Sequence, residues 1–163
     1  MAEATLATSN GILRFLYDFS YTAITRNVEG LTHADSLLVP PGGGNCANWA
    51  LGHVLHNRSF VLELLHEQPL WAEADGEPYE TGSKPLDPKD ARPWDSLVQD
   101  LNATQERIRR GLDRLDPEEL DLKHVEEAKR PRGAQLHFMH FHESYHAGQI
   151  GLLRRMTGKA GAI

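Results

Sequence analysis

One stretch near the end of the chain reads Phe138-Met139-His140-Phe141-His142-Glu143-Ser144-Tyr145-His146-Ala147-Gly148-Gln149. At about 100° per residue, His142 and His146 lie about 40° apart on a helix, one turn from each other on one face. Two imidazoles at this spacing can chelate one ion. His140 and His137 point about 160° and 140° away from His142, so we expect them to lie outside the same site. The stretch therefore predicts a helix that carries two ligands of a metal site.

Three further helices are predicted upstream from the spacing of apolar residues. The four predicted segments cover residues 5–27, 45–67, 93–115 and 134–157. Asn45 is a candidate N-cap of the second, Pro93 fits the first turn of the third, and Gly158 is a candidate stop for the fourth. No alternating run typical of a strand interrupts them. The sequence therefore predicts an all-α protein, a four-helix bundle.

The second predicted helix is expected at the centre of the bundle, because its apolar residues cover almost its whole circumference. It ends before a long connection, residues 68–93, which contains five prolines and two glycines. A connection of this length is either a crossover between parallel helices or a cover over a site. A simple up-down-up-down topology is therefore not expected.

Length and composition favour one globular domain, residues 1–163. Hydrophobic residues make up 40% of the chain and charged residues 25%, a balance that argues against intrinsic disorder. The formal net charge of −6 argues against a nucleic-acid partner, because the chain repels phosphates overall. The single cysteine, Cys46, excludes an internal disulfide and any metal site built from several cysteines.

The expected location is the cytoplasm. No apolar run is long enough to span a membrane, so no membrane association is expected. The first residues, Met1-Ala2-Glu3-Ala4, have neither the basic start nor the apolar core of a secretory signal.

A third metal ligand must come from another helix, since two ligands rarely make a tight site. His53 is the best candidate, because it lies in the middle of the helix predicted to be most buried, with Trp49 and Asn57 on the same face. Three neutral histidines would bind a divalent first-row metal and leave coordination positions open. The residues alone leave a simpler interpretation open, in which the histidine pair on the last helix arises by chance and His53 is a hydrogen-bonded core residue.

The segment 142–146 also matches the HExxH motif of zinc proteases, in which the glutamate is the general base. The protease interpretation is not favoured, because none of the 17 residues after His146 is His, Asp or Glu. In the extended motif, Gly and His would stand where this chain has Gln149 and Leu152. Glu143 is expected either to touch the edge of the site or to be solvated or paired with a neighbour. The other charged residues weighed as ligands are interpreted as surface charges: Arg14, Asp18, Arg26, Arg58, Arg130 and Arg132.

Two segments resemble the motifs of the DinB/YfiT-like proteins. The first, Asn48-Trp49-Ala50-Leu51-Gly52-His53-Val54 after a Pro-Gly loop, is similar to their second-helix motif, and residues 142–155 are similar to their last-helix motif. The resemblance covers nearly the whole chain, with both motifs in the right order. It implies a four-helix bundle with up-down-down-up topology and long crossover connections. It also implies a homodimer and a divalent metal, zinc or nickel, held by His53, His142 and His146.

For activity, the resemblance implies a metal-dependent transferase. Characterised relatives are largely S-transferases and isomerases that use low-molecular-weight thiols such as bacillithiol or mycothiol, and others are described as metal-dependent hydrolases. The expected function is therefore transfer of such a thiol to a small electrophilic substrate. The alternatives are a metal-dependent hydrolase of a small amide or ester, and a metal-binding stress protein without catalysis. The family name reflects induction by DNA damage and not DNA binding.

Few residues are candidates for roles beside the metal, and the catalytic candidates are Gln149 and Glu143. Gln149 and Gln135 could hydrogen-bond a ligand or substrate, and Trp49 and Phe138 would wall the pocket. A hydrolase would need a general base, for which Glu143 is the only candidate in the motif. A thiol transferase needs little beyond the metal, because the cation stabilises the thiolate.

Overall fold

The structure is a computed structural model that describes residues 9–163. Its helices, in chain order, are α1 (Ser9–Val28), α2 (His33–Ser36), α3 (Ala47–Leu64), α4 (Glu73–Gly76), α5 (Trp94–Arg114) and α6 (Arg132–Met156). Short 3₁₀ helices cover Glu77–Tyr79 and Pro117–Asp121, and no strand forms within residues 9–163. The predicted all-α class is confirmed. The start of the first predicted helix, residues 5–8, lies outside the described residues, as do residues 1–4.

Packing, rather than a polar cap, sets where α3 begins. The predicted N-cap, Asn45, is wrong: Cys46 is the N-cap residue, and its side chain makes no capping hydrogen bond. Cys46 is buried in one cluster with Trp49, so an apolar contact anchors the first turn. Pro93 likewise precedes α5 as its N-cap and does not lie in the first turn. Gly158 follows α6 with a φ of 80°, in the left-handed conformation, which confirms the predicted stop.

Contacts between α1 and α6 show that these neighbouring helices are parallel. The Tyr17 hydroxyl donates to the carbonyl of Leu136 (2.9 Å). Further along, the Asn27 amide donates to the carbonyl of Ala147 (3.0 Å). Since residue numbers rise together along both helices, α1 and α6 run in the same direction.

The other pair of parallel helices is α3 and α5. The Arg58 guanidinium donates to the Thr104 hydroxyl (3.1 Å), and Leu65, which follows α3, packs against Gly111 further along α5. The contacts that run antiparallel join α1 to α5 and α3 to α6, through Asn10 with Leu112, Tyr21 with Asn102, Arg58 with Glu143, and Arg132 with Leu64. The bundle therefore has the predicted up-down-down-up topology, and the chain between α3 and α5 is its long crossover.

Two apolar clusters fill the ends of the bundle, and a buried polar layer separates them. The members of that layer are Ser20, Arg58, Thr104, Gln105 and Glu143. As predicted, α3 is central: residues 47–55 are all buried, because α5 and α6 flank this helix and the crossover covers it. Within the described range, no helix is both long and apolar enough to cross a membrane.

Candidate metal centre

Three histidines from two helices meet at one point beside the bundle core. His53 comes from α3, and His142 and His146 come from successive turns of α6. The Nε2 atom of His142 lies 3.1 Å from Nε2 of His53 and 3.2 Å from Nε2 of His146. Nitrogen ligands of a tetrahedral zinc ion lie about 3.3 Å apart, given Zn–N bonds of about 2.0–2.1 Å. The predicted trio therefore comes together at spacings that fit a divalent first-row metal.

The far ring nitrogens of two of these histidines are fixed by hydrogen bonds. Nδ1 of His53 lies 2.6 Å from the backbone carbonyl of Tyr79, which can only accept, so His53 must carry its proton on Nδ1. Nδ1 of His146 lies 2.7 Å from the amide oxygen of Gln149 and donates in the same way. Both rings therefore present an Nε2 lone pair to the common centre, which is the tautomer that a metal needs.

The third ring, His142, has no such partner. Its Nδ1 atom is buried and makes no hydrogen bond with any described residue. Its single ring proton can lie on Nε2 and bridge towards one neighbouring lone pair, but it cannot serve both His53 and His146 well. A cation at the centre would satisfy all three lone pairs at once, because each neutral imidazole offers one acceptor nitrogen.

Burial keeps these histidines neutral. His53 and His146 are 3% and 5% exposed, and His142 is half-buried. Loss of hydration lowers the pKa of His53 and of His142. For His146, burial and then the nearby His53 ring lower the pKa to about 4. Neutral imidazole is the form that binds a metal, so the site needs no deprotonation at neutral pH.

The surroundings of His53 form one wall of the centre. The indole of Trp49 stacks on the imidazole of His53, with ring centroids 4.6 Å apart and an angle of 12° between the rings. The indole N–H donates to the hydroxyl of Ser83 (3.1 Å), which belongs to the crossover. On α3, the Asn57 amide donates to the carbonyl of His53 (2.8 Å) and lies 3.3 Å from its Nε2 atom. The long connection is therefore both a crossover and part of the cover over the site.

Glu143, the middle residue of the HExxH segment, does not reach the histidine cluster as a hydrogen-bonding group. Its carboxylate accepts from Nε and Nη2 of Arg58 at 2.9 and 2.7 Å, and the Ser20 hydroxyl donates to it at 2.7 Å. Arg58 is 1% exposed, so its interpretation as a surface charge is wrong. The bidentate ion pair explains why both charged side chains can be buried. A carboxylate held in this way is poorly suited to serve as a general base.

The remaining guanidinium protons of Arg58 are also engaged. Nη1 donates to the Thr104 hydroxyl at 3.1 Å and the Leu101 carbonyl at 3.3 Å, and Nη2 donates to the Gln105 amide oxygen at 3.1 Å. The sequence did hold a sign of this buried position. The residues three and four places away on the helix are all apolar: Val54, Leu55, Val61 and Leu62.

The other candidates divide between the site and its exterior. Gln149 lies at the site, as expected of a residue that orients a ligand. Gln135 bonds instead to His124 and to a backbone carbonyl, away from the three histidines. Phe138 is partly exposed and lies under the Arg130 guanidinium. Arg132, also interpreted as a surface charge, is buried and donates a hydrogen bond to the Leu64 carbonyl, so that interpretation is wrong.

Comparison with known families identifies the chain. A model of the DinB superfamily matches residues 16–150. The chain belongs to the DinB superfamily. His53, His142 and His146 all lie inside the matched region.

The fold of this DinB protein is shared with a crystal structure described as a conserved protein from Enterococcus faecalis. The two structures superpose with a TM-score of 0.71 over 93% of this chain and 99% of that one, at 19% sequence identity. At that identity the likeness shows the fold alone. No protein with a curated description matches this DinB chain.

Proposed function

We propose that this DinB protein binds a divalent metal ion through the Nε2 atoms of His53, His142 and His146. The observation that carries the proposal is the convergence of the Nε2 atoms of three imidazoles, two of which have their outer ring nitrogen hydrogen-bonded to an acceptor. Three neutral imidazoles favour first-row metals, and zinc or nickel is the ion that we propose. At least one further coordination position would be left for a substrate.

Elemental mass spectrometry on untagged protein tests the metal site. We expect close to one metal per chain in the parent and almost none in His53→Ala and His146→Ala. His137→Ala is the matched control, because His137 is exposed on α6 and lies outside the cluster. No bound metal in the parent after incubation with zinc or nickel would overturn the proposal, as would equal metal content in all four proteins.

We further propose that the activity is transfer of a low-molecular-weight thiol to a small electrophile. A divalent cation held by the three histidines would lower the pKa of a thiol placed beside it. A sulfur–carbon bond then forms, the bond from that carbon to its leaving group breaks, and the thiol proton goes to solvent. Half-buried His142 marks the side from which small molecules can approach, and Trp49 supplies a flat apolar wall.

A hydrolase is the second candidate, and the surroundings of Glu143 count against it. Hydrolysis would need a base beside a metal-activated water. Glu143 is committed to Arg58 and Ser20, and among the described residues no carboxylate hydrogen-bonds to the three histidines. A thiol transferase has no such requirement, and this difference supports the transfer reaction.

Product analysis separates the functions. The metal-loaded protein would be incubated with a panel of thiols and alkylating electrophiles, and separately with small amides and esters, with His53→Ala as the inactive control. Thiol adducts formed by the parent alone would support the transferase. Hydrolysed amides or esters would favour the second candidate, and stoichiometric metal without turnover of either panel would favour a binding protein.

A second copy of the chain is the partner that we propose. The outer faces of neighbouring helices α1 and α6 expose large apolar side chains, among them Phe19 at 68% and Phe141 at 66%. With Phe15 and Leu152, they present roughly 500 Å² of apolar surface, taking about 150–250 Å² for each aromatic side chain. A standard interface buries about 800 Å² on each partner, so this surface could form its core.

Sedimentation velocity tests the dimer. We expect the parent to sediment as a dimer, and Phe19→Glu and Phe141→Glu to shift the population towards monomer. Leu122→Glu changes an apolar residue of similar exposure, 58%, outside both helices and should leave the dimer intact. A parent that is monomeric at micromolar concentration would contradict this assembly without touching the metal proposal.

A further inference from the structure

One aromatic ring of the crossover between α3 and α5 packs against α3 beside the histidine cluster. Tyr79 is completely buried, and its ring lies directly on Gly52, one residue before His53. A Cβ atom at Gly52 would lie 2.2 Å from Cδ1 of Tyr79, far closer than real contacts allow. Glycine is unfavourable in the interior of a helix. Its presence here is explained by the space that the Tyr79 ring occupies.

Once inserted, Tyr79 is held at both ends. Its hydroxyl donates to the Asn48 amide oxygen (3.1 Å) and accepts from the backbone N–H of Arg92 (2.8 Å). Its backbone carbonyl accepts from Nδ1 of His53 (2.6 Å). The ring and the carbonyl belong to one residue, so a displacement of the ring from Gly52 would also move the acceptor that fixes the His53 tautomer.

A second tie joins the crossover to the same imidazole. Ser83 accepts the indole N–H of Trp49 (3.1 Å), and that indole stacks on His53. Ser83 in turn donates to the carbonyl of Pro78 (3.1 Å), the residue before Tyr79. The edge and the face of the His53 ring are therefore both tied to residues 78–83.

We propose that Gly52 and Tyr79 are positioning residues of the metal centre. Gly52 supplies the space, Tyr79 fills it, and the Tyr79 carbonyl then holds His53 with its Nε2 lone pair towards His142. The part of this inference that concerns metal affinity rests on the proposed metal site. The part that concerns the orientation and tautomer of His53 does not.

The test compares two alanine substitutions that insert the same methyl group into packed contacts. Gly52→Ala pushes on Tyr79. Gly111→Ala, with its Cβ 2.7 Å from Cβ of Leu65, pushes on a contact near the other end of α3, away from the three clustered histidines. Zinc affinity would be measured by competition with a chromophoric chelator. We expect a 10- to 100-fold loss for Gly52→Ala, the range typical of lost partners of metal ligands, and little change for Gly111→Ala.

The metal-free proteins supply an independent measurement. Long-range ¹⁵N–¹H correlation spectra distinguish the two imidazole tautomers, and His53→Ala identifies the signal. We expect His53 to be an Nδ1–H tautomer in the parent and in Gly111→Ala, and a mixture in Gly52→Ala. If Gly52→Ala does not fold, Tyr79→Phe replaces it. This variant keeps the ring but loses the two hydrogen bonds of the hydroxyl, and we expect a several-fold weaker zinc affinity.

Each outcome decides one proposal. Equal zinc affinities for Gly52→Ala and Gly111→Ala would overturn the positioning role while leaving the metal site standing. A parent without zinc binding would overturn the metal site, and the tautomer spectra would then decide the positioning role alone. An unchanged His53 tautomer in folded Gly52→Ala would overturn the positioning role. Where Tyr79→Phe is used in place of Gly52→Ala, an unchanged tautomer in that folded variant would do the same.

Discussion

Two polar clusters lie side by side in this bundle, and helices α3 and α6 contribute to both. One contains His53, His142 and His146, and the other contains Arg58 and Glu143. In the arginine cluster every donor is matched by an acceptor across the helices. In the histidine cluster three acceptor nitrogens face one another, and a fourth nitrogen has no partner. A buried polar group that is fully paired supports the fold, whereas converging unfilled lone pairs indicate a ligand.

The largest effect on stability should come from removing one partner of the buried Arg58–Glu143 pair. Glu143→Leu leaves the Arg58 guanidinium buried without its partner, and we expect a loss of about 3–5 kcal/mol in the free energy of unfolding. Urea denaturation of the metal-free protein measures it. Arg58→Met combined with Glu143→Leu should recover most of that stability, since two apolar side chains replace two buried charges.

The same variants separate a structural role for Glu143 from a catalytic one. If the double variant folds, binds metal and keeps the thiol-transfer activity, Glu143 acts through the fold. A folded double variant that binds metal normally but has lost all turnover would show instead that the Glu143 carboxylate takes part in the chemistry.

Removing one hydrogen bond around the histidine cluster should have a smaller effect. Gln149→Leu deletes the acceptor that holds Nδ1 of His146, and about 10-fold weaker zinc binding is expected, equivalent to about 1.4 kcal/mol. Isothermal titration calorimetry would detect it. Gln135→Leu is the control, because Gln135 lies away from the cluster; an equal loss in both variants would mean that the Gln149 contact is not specific.

The pH dependence of the metal-free protein tests the neutral state of the histidine cluster without a metal. Burial lowers the pKa of His146 from 6.5 to about 4, so between these values the unfolded chain binds more protons than the folded one. Stability from this residue is complete above pH 6.5 and is lost as the pH falls towards 4. Unfolding midpoints measured across that window should decline less steeply in His146→Ala, and identical slopes would contradict the neutral, buried state of His146.

Helical spacing was enough to predict the histidine cluster, but not the arginine cluster or the crossover contacts. His142 and His146 share a face by periodicity alone, and His53 stood out because it interrupts an apolar helix. Arg58 stands in apolar surroundings too, but an arginine is rarely buried without a paired acceptor, and its partner Glu143 lies 85 positions away in the chain. The partner of His53, by contrast, is a backbone carbonyl of Tyr79, and every residue type carries one. Only tertiary packing on Gly52 places it.

The separation of the three proposed ligands along the chain has a consequence for synthesis. His53 and His142 are 89 positions apart, so they meet only after a long loop closes, a contact of the kind that forms late in folding. A nascent chain that still lacks α6 holds only one of the three histidines, and an unfolded chain has at best the neighbouring pair from α6. The full set of three therefore exists only once the polypeptide is both elongated through α6 and assembled, so tight metal uptake would report that folding has reached its end.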